Sequence, residues 1–556
     1  MPSLLQRIER AAQTDRTVTF VVGGGEEVVS WRDMHHQAKG FAAALQARGV
    51  QPGDHVALLS PTTRSLVTAI QATFLAGGTI VVLPLPMRLG SIEEFVDQTR
   101  ERIHHADAKL VVIDPELAAF VIEEPGDPPM VPITDLADGD PAAWVRPDDD
   151  PERLAILQFT SGSTSDPKGV MLPDQVLCAN LDAITEAPSL DPADDVLVSW
   201  LPLYHDMGLV GMLVLPMSTG TPLVLGAPQD FTSRPSRWME WISTYGGTAT
   251  AGPNFAWVLA TRALRNGNGP QLDLSPLRVA LNGAEPIDPD NVDDFINAGQ
   301  AHGLRPGAIF PAFGMAEIGI GGAFPPPLRG LITDCVDRRV IETERYAAPT
   351  EPGTPGSRRF ALLGRPVPGL EFRIVDPDTG AALQEREVGE LEIRGTSVTP
   401  GYYKRPDVNA ELFHEGWLCT GDLAYLLGGE LVVCGRIKDV IIVGGRNVFP
   451  EDVERAIGTI QGIRAGNVIA FGMLNGRGRE ALAVVAETRA SADDDGGVLE
   501  ALRHAVAERV VETIGVPARE IVLVAAGTLP KTSSGKLQRS LCRSRYENGQ
   551  LEFVKA

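Results

Sequence analysis

Six consecutive hydroxyl or glycine residues run from Thr160 to Ser165 between two apolar stretches, and Lys168 follows them. Small residues let backbone N–H groups approach a ligand closely, hydroxyls add hydrogen-bond donors, and lysine supplies a positive charge. The combination favours a phosphate ligand over a flexible linker. The P-loop pattern differs, because there a glycine precedes the lysine and a hydroxyl follows it. We therefore predict a phosphate-binding turn between two strands on another scaffold.

The elements around this loop alternate between helix-like and strand-like patterns. Residues 36–48 have helical periodicity, whereas 55–60, 79–83 and 110–113 are short apolar runs typical of buried strands. Such alternation predicts an α/β fold with largely parallel sheets. The longest apolar run, 66–86, contains a glycine pair and two prolines. We interpret it as a buried helix, a turn and a strand, with no transmembrane segment.

The C-terminal part of the chain has the pattern of a smaller α+β unit. Pro450 and the two acids after it predict a helix start. Strands are predicted at 468–471, 482–486 and 521–524, with a helix at 498–514. The predicted fold class is thus α/β, with a large N-terminal domain of sheets flanked by helices and a smaller, mobile C-terminal α+β lid domain.

The composition of the 556-residue chain excludes several classes of partner. Its net charge of -23 disfavours nucleic acid and anionic membrane surfaces. Five scattered cysteines form no C-x-x-C pair, which indicates reduced thiols rather than disulfides or a zinc site. The charged N-terminus lacks the apolar core of a signal peptide. A cytoplasmic location is therefore expected.

Five motifs in order resemble the adenylate-forming superfamily of acyl-CoA synthetases, luciferases and peptide synthetase adenylation domains. They are TSGSTSDPKG (160–169), PAFGMAEIG (311–319), TGDL (420–423), GRIKD (435–439) and PKTSSGK (530–536). Four further stretches are similar to fatty acyl-AMP ligases in particular. They are SWLPLYHDMGL (199–209), TAGPNFAW (250–257), LNGAEPI (281–287) and GGRNVFPEDVE (444–454). Many of these ligases lack the lysine that this chain has at Lys168.

The resemblance implies that ATP activates a fatty acid as acyl-AMP with release of pyrophosphate. Catalysis then consists of positioning and charge neutralisation, without a protein nucleophile. Glu317 would bind Mg²⁺, Asp422 the ribose hydroxyls, and Arg436 the ribose or phosphate. The implied ATP/AMP-binding residues are Thr160, Ser161, Gly162, Ser163, Thr164, Lys168, Gly283, Ala284, Glu285, Phe313, Gly314, Met315, Ala316, Asp422 and Arg436.

Two further residues gain catalytic roles from the same resemblance. Lys536 would neutralise charge on the α-phosphate, and His205 would form a gate beside the acyl carboxylate. Lys438 would be the hinge residue. We accordingly predict an AMP-binding domain over 1–436, a hinge at 437–439 and a lid over 440–556. An insertion at about 325–360 has both signs of charge and little apolar periodicity, so we expect no core of its own.

The acyl acceptor separates the two leading hypotheses. Acyl-AMP ligases transfer the acyl group to the phosphopantetheine thiol of an acyl carrier protein, or of a carrier domain in a polyketide or peptide synthetase. The insertion and the GRN sequence at 445–447 favour this reading. The alternative is a long-chain fatty acyl-CoA synthetase, which shares the first-step residues. An inactive adenylate-binding protein is disfavoured, because Glu317 and Lys536 are both present.

Overall fold

The computed structural model describes residues 1–85, 92–160, 168–265, 271–474, 480–490, 497–532 and 535–554. Its α-helices are α1 Leu4–Ala11, α2 Trp31–Ala47, α3 Arg64–Leu75, α4 Ile92–His105, α5 Pro115–Ala118, α6 Asp174–Glu186, α7 Leu215–Thr219, α8 Pro228–Ser233, α9 Ser236–Tyr245, α10 Asn254–Arg265, α11 Pro289–Gln300, α12 Arg338–Glu344, α13 Pro406–Leu412, α14 Pro450–Gly458, α15 Gly497–Ile514 and α16 Arg539–Glu547. None of these described helices has the length and apolar character that crossing a membrane requires.

The strands of the N-terminal two thirds of the described chain are β1 Thr17–Phe20, β2 Glu27–Ser30, β3 His55–Leu59, β4 Thr79–Val82, β5 Ala108–Ile113, β6 Met130–Pro132, β7 Leu154–Thr160, β8 Lys168–Pro173, β9 Leu197–Ser199, β10 Leu223–Leu225, β11 Ala249–Gly252, β12 Val279–Asn282, β13 Ile309–Pro311, β14 Phe313–Gly314, β15 Gly321–Phe324, β16 Thr333–Asp337, β17 Ser357–Ala361, β18 Arg365–Pro366 and β19 Leu370–Val375. Those that follow are β20 Gly389–Gly395, β21 Phe413–His414, β22 Trp417–Leu427, β23 Glu430–Arg436, β24 Ile441–Val443, β25 Arg446–Val448, β26 Ile463–Leu474, β27 Glu480–Thr488 and β28 Glu520–Ala525.

Two mainly parallel sheets and one antiparallel sheet form the large N-terminal domain. The first sheet has the order β13-β12-β11-β9-β10-β1-β2, and only β2 is antiparallel to its neighbour. The second has the order β6-β5-β3-β4-β7-β8, with β8 as its antiparallel edge. The third joins β19, β20, β22, β21 and β23 in antiparallel register. The predicted α/β class is confirmed, but the antiparallel third sheet was not predicted.

Local sequence signals account for most of the observed elements. The helix predicted over 36–48 is α2, which begins earlier because the Ser30 side chain accepts a hydrogen bond from the N–H of Asp33. Up to residue 85, where the described part ends, the run 66–86 folds as a helix followed by a turn and β4, as predicted. Its glycine pair fits this turn, where Gly77 has a φ of +77°.

The C-terminal α+β unit is built on the sheet of β26, β27 and β28, which has both faces covered. Alternate residues of β26 point to opposite faces: Val468 and Ala470 pack in one apolar cluster, and Ile469 and Phe471 in another. The helix α15 contributes buried residues to the first cluster and α16 contributes Cys542 to the second. The predicted helix after Pro450 is α14.

The segment predicted as an insertion adds a small hairpin with a helix. Strands β16 and β17 pair in antiparallel register and α12 lies between them in sequence. Val336, Ile341 and Phe360 of this segment share one apolar cluster with Tyr425 of β22 and Phe449, which precedes α14. The segment therefore has no separate core and packs between the two domains. The domain boundaries and the hinge motion stay predictions.

Gly364 allows a close approach of two backbones, and its substitution is our first prediction. Its φ is +88°, and an added Cβ would lie 2.0 Å from the carbonyl of Phe324. Gly353 has a φ of +81° with nothing within 4 Å of an added Cβ, so it is a matched control for backbone strain alone. Gly353→Ala should cost about 1–2 kcal/mol, and Gly364→Ala about 2–3 kcal/mol more because of the clash. Denaturant unfolding would measure both, and equal costs would contradict the close approach.

Candidate functional site

The candidate site lies at one edge of the first sheet, where parallel strands end. His205 follows β9, residues 283–285 follow β12, and residues 313–317 follow β13. Ligands of open α/β sheets bind in the crevice outside the carboxyl ends of the strands. The fold thus brings together three stretches that are far apart in sequence.

Glu317 is a buried carboxylate in the short turn Ala316–Ile318 after β14. Its Oε1 accepts a 2.7 Å hydrogen bond from the Tyr402 hydroxyl, and its carbonyl accepts one of 2.8 Å from the N–H of Thr399. Burial raises the pKa of Glu317, and the negative charge of Asp206 adds to this effect. A cation at this carboxylate would oppose both influences.

Asp422 and Arg436 face each other across β22 and β23. They are register partners, and Arg436 Nε lies 3.2 Å from Asp422 Oδ1. Burial raises the pKa of Asp422 to about 6, whereas the nearby Arg436 charge works in the opposite direction. The negative charge of Glu317 also raises this pKa.

The predicted phosphate turn joins β7 to β8, as the apolar flanks indicated. Thr160 ends β7, and its hydroxyl donates a 3.4 Å hydrogen bond to the Lys168 carbonyl. The ammonium of Lys168 lies 5.1 Å from the centre of the Tyr402 ring. Burial lowers the pKa of Lys438, the predicted hinge residue, and the charges of Arg436 and Lys168 lower it further. Four predicted residues lie outside the described part of the chain: Ser161, Gly162, Ser163 and Thr164.

Lys536 of the C-terminal domain faces the strand ends of the N-terminal domain. It sits in a turn in which its carbonyl accepts a 2.8 Å hydrogen bond from the N–H of Thr532. A Cβ on the adjacent Gly535 would be 3.8 Å from the Phe255 ring, so the turn rests on α10. Burial lowers the pKa of Lys536, while the carboxylates of Asp206 and Glu285 favour its charged form.

His205 and Glu285 both lie beside this lysine turn. His205 Nδ1 is 3.1 Å from Asp206 Oδ1. Burial alone would raise the pKa of Asp206, but His205 and the Lys536 charge outweigh it and lower that pKa. Glu285 Oε1 accepts a 2.6 Å hydrogen bond from the N–H of Phe255. We predicted Glu285 to bind ATP or AMP, and its charge acts on Lys536.

The small and aromatic residues that we predicted to bind ATP or AMP also have packing roles. Gly314 is required by the β14–β15 pair, because an added Cβ would lie 1.9 Å from the Ile320 carbonyl. Ala284 has a φ of +67°. Phe313 is buried with its ring centre 6.4 Å from that of Phe372. The ATP/AMP-binding roles of Gly283, Ala284, Phe313, Gly314, Met315 and Ala316 stay predictions.

The donors at this edge fit a metal ion that shares its coordination with phosphate. The described residues contain no group of three or more side chains suited to hold a metal by themselves. Glu317 instead offers a single buried carboxylate. Mg²⁺ is commonly bound by one or two carboxylates together with substrate phosphates and water. The arrangement therefore fits Mg²⁺ only as a partner of a bound nucleotide.

Three residues at the site were missed by the sequence analysis. Tyr402 contacts both Glu317 and Lys168, Asp206 pairs with His205, and Phe255 supports the lysine turn. Asp206 and Phe255 lie inside the stretches similar to acyl-AMP ligases, so they could have been singled out. Tyr402 lies in GYYKRP (401–406), where the only signal was a pair of tyrosines after a glycine.

Comparison with known families accounts for most of the chain. The AMP-binding enzyme family matches residues 8–403, and the C-terminal domain of AMP-binding enzymes matches residues 445–541. A putative ligase of Mycobacterium tuberculosis is 38% identical, covering 96% of this chain and 98% of its own. A putative fatty-acid–CoA ligase of the same species is 32% identical, covering 100% of this chain and 98% of its own.

Two further relatives have more specific names. A medium-chain-fatty-acid–[acyl-carrier-protein] ligase of Moorena producens is 31% identical, covering 99% of this chain and 95% of its own. A structure from a study of fatty acyl-adenylate ligases of E. coli and L. pneumophila aligns with a TM-score of 0.90 at 30% identity. That alignment covers 99% of this chain and 98% of the other.

The raised pKa of Asp422 generates a pH prediction for nucleoside binding. The carboxylate form, which we predict to accept hydrogen bonds from both ribose hydroxyls, predominates above the pKa of about 6. Adenosine, which carries no titrating phosphate, should therefore bind roughly tenfold more weakly at about pH 5 than at about pH 7. Calorimetric titration would measure this. Asp422→Asn keeps the shape and should have a flat profile; a wild-type profile equally flat would refute the role.

Proposed function

The chain belongs to the AMP-binding enzyme family of adenylate-forming ligases, and from that premise we propose that it activates a fatty acid for transfer to an acyl carrier protein. In the first step a carboxylate oxygen of the fatty acid attacks the α-phosphorus of ATP. The bond to the bridging oxygen breaks, and pyrophosphate leaves. The acyl group of the acyl-AMP then passes to the phosphopantetheine thiol of the carrier, and AMP leaves.

The observation that carries the first step is the position of Lys536. Its turn rests on Phe255 beside the strand ends that carry His205 and Glu317. An ammonium there can neutralise charge that develops on the α-phosphate. The carboxylates of Asp206 and Glu285 favour this charged form. Lys536 therefore supports an arrangement suited to adenylate formation.

The remaining first-step residues surround the same space. We propose that Asp422 accepts the ribose hydroxyls, that Arg436 contacts the ribose or phosphate, and that Lys168 with the turn after Thr160 binds the leaving pyrophosphate. Glu317 would hold Mg²⁺, which supplies positive charge to the phosphates. His205 would be a gate for the acyl carboxylate, since a fatty acid is already ionised at neutral pH.

The choice of a carrier protein over CoA rests on the segment around α12. Arg446 of β25 donates hydrogen bonds to Glu342 of α12, and the one from Nε is 3.1 Å long. Its Nη1 also donates a 2.6 Å hydrogen bond to the Ile514 carbonyl. Arg358 Nη1 lies 3.0 Å from Asp452 Oδ2 of α14. These contacts tie the C-terminal domain to the segment, which is itself packed on β22 and β23.

Such ties restrain rotation of the C-terminal domain about residues 437–439. Glu342 is fully buried and its other charged neighbour, Arg338, lies 3.7 Å away on the same helix, so breaking its pair with Arg446 removes the hydrogen bonds of a charge in the protein interior. We propose that this restraint disfavours the arrangement that CoA transfer requires. A carrier protein brings a large docking surface as well as its thiol, so its binding energy can offset the restraint.

The alternative function is a long-chain fatty acyl-CoA synthetase. It shares the first step, and a similar M. tuberculosis protein is named a putative fatty-acid–CoA ligase. We further propose a cytoplasmic location, where ATP is supplied and the five unpaired cysteines would stay reduced.

The proposed function is tested with purified protein, ATP, Mg²⁺ and a panel of fatty acids, with CoA or a phosphopantetheinylated carrier protein. Acyl-AMP and acyl-carrier should form, with little acyl-CoA. Acyl-CoA formation at a rate near that of adenylation would contradict the proposal and favour the synthetase. If no fatty acid gives acyl-AMP, both functions are wrong.

Lys536→Ala should lose acyl-AMP formation by roughly 100- to 1,000-fold but still transfer acyl groups from supplied acyl-AMP.

The restraint on the C-terminal domain yields a separate prediction. Glu342→Gln leaves size and shape nearly unchanged and removes the charge that pairs with Arg446. We expect acyl-CoA formation to rise at least severalfold, with acyl-AMP formation within about twofold of wild type, because no first-step residue is altered. Glu344→Gln, at an exposed position of the same helix, is the matched control. If the two variants give the same acyl-CoA yield as wild type, this pair does not restrain the domain.

A further inference from the structure

Tyr402 lies between two oppositely charged side chains that the proposed reaction needs separately. Its hydroxyl donates the 2.7 Å hydrogen bond to Glu317 Oε1, and its ring centre is 5.1 Å from the Lys168 ammonium. These three residues are all described, and the structure forms no salt bridge between Lys168 and Glu317. Each charge contacts the tyrosine instead.

The backbone of Tyr402 is fixed on two sides. Its N–H donates a 2.8 Å hydrogen bond to Asn409 Oδ1, and its carbonyl accepts one of 2.8 Å from Asn409 Nδ2. On the other side it forms a β-bridge with Val170, close to Lys168. The residue is only 7% exposed. The phenol is thus held in one place between the two charges.

The neighbouring segment ties the two charged stretches together. The N–H of Thr399 donates a 2.8 Å hydrogen bond to the Glu317 carbonyl, and the Thr399 hydroxyl donates one of 2.6 Å to the Met171 carbonyl. The N–H of Tyr403 donates one of 2.8 Å to the Gly169 carbonyl. Residues 399–403 therefore position both the turn of Glu317 and the start of β8.

A buried carboxylate and a nearby ammonium attract each other strongly, and an ion pair between them would neutralise the charge of both. Paired with Lys168, Glu317 would have less charge and fewer lone pairs for Mg²⁺, and the lysine would have less charge for phosphate. We propose that Tyr402 is a positioning residue that keeps these two groups apart. Its hydroxyl holds the carboxylate for the metal, and its ring holds the ammonium for the phosphates. This inference rests on the proposed function.

The two contacts can be separated by substitution. Tyr402→Phe removes the hydroxyl and keeps the ring under Lys168, whereas Tyr402→Leu removes both. Tyr403→Phe is the matched control, because the Tyr403 hydroxyl donates a 2.9 Å hydrogen bond to Asp107 and its ring lies near Lys404, away from the site. Thermal unfolding of each variant checks that the fold is retained.

The readout is metal binding without turnover. Mn²⁺ replaces Mg²⁺, α,β-methylene ATP replaces ATP, and electron paramagnetic resonance counts bound Mn²⁺. Tyr402→Phe should weaken Mn²⁺ binding roughly tenfold, the effect of losing one hydrogen bond to a charged group. Its affinity for the nucleotide without metal should be unchanged. Tyr402→Leu should weaken both, and Tyr403→Phe neither.

A double variant distinguishes separation of charges from simple structural support. Without the tyrosine ring, Lys168 can pair with Glu317. Removing that lysine should therefore restore metal binding: Tyr402→Leu with Lys168→Met should bind Mn²⁺ several times more tightly than Tyr402→Leu alone. All Mn²⁺ affinities are compared at saturating nucleotide, because Lys168→Met also removes a phosphate contact and should weaken nucleotide binding. If Tyr402→Leu does not fold, Tyr402→Phe with Lys168→Met should bind Mn²⁺ more tightly than Tyr402→Phe alone, because the released carboxylate no longer has an ammonium to approach.

Unchanged or tighter Mn²⁺ binding in Tyr402→Phe would overturn the role of the hydroxyl. A double variant no better than Tyr402→Leu would overturn the separation of charges. These outcomes are distinct from failure of the proposed function, which the wild-type protein reports by itself. If wild type binds Mn²⁺ with the nucleotide but forms no acyl-AMP, the proposed reaction fails while the positions of Lys168 and Glu317 are still tested.

Discussion

Charged side chains removed from water control both the ionisation of the site and the placement of the C-terminal domain. Burial raises the pKa of Glu317 and Asp422 and lowers that of Lys536. Each group is ionised more readily when an opposite charge is near. Lys536 comes from the C-terminal domain and provides that charge to Asp206 and Glu285 of the N-terminal domain. The ionisation of these groups therefore depends on the position of the C-terminal domain.

The segment around α12 obeys the same constraint at a second place. A helix of this length has little stability of its own. Its apolar residues complete a cluster that includes Phe449, and the Oε2 atom of its buried Glu342 accepts hydrogen bonds from Arg446. Burial raises the pKa of Glu342 and the Arg446 charge opposes this. An otherwise polar segment is thus ordered by partners from both domains, which is why its sequence alone shows no core.

The sequence predicted what depends on local pattern. The α3 helix, the β4 strand and the α14 helix follow from apolar periodicity, glycine turns and proline at a helix start. The antiparallel third sheet was not predicted. The Gly428–Gly429 pair that joins β22 to β23 is a hairpin signal that the sequence analysis did not use, whereas β19, β20 and β22 pair over longer separations. The motif residues at 205, 283–285 and 313–317 do come to one edge, since parallel strands end together. Tyr402 was missed because its contact with Glu317 joins residues 85 apart in sequence, and nothing near either residue encodes it.

The two sets of charges respond differently to the proposed reaction. Before adenylation the phosphates of ATP add negative charge in front of Lys536 and Lys168, and these lysines are attracted to the site. In the proposed reaction, release of pyrophosphate would remove most of that charge and weaken the hold on the C-terminal domain at the step for which we predict its movement. The pair of Glu342 and Arg446 contacts no nucleotide and keeps its strength throughout. The attraction of the two lysines to the site therefore changes as the proposed reaction proceeds. The pair of Glu342 and Arg446 does not change, and in our proposal it influences which acceptor completes the reaction.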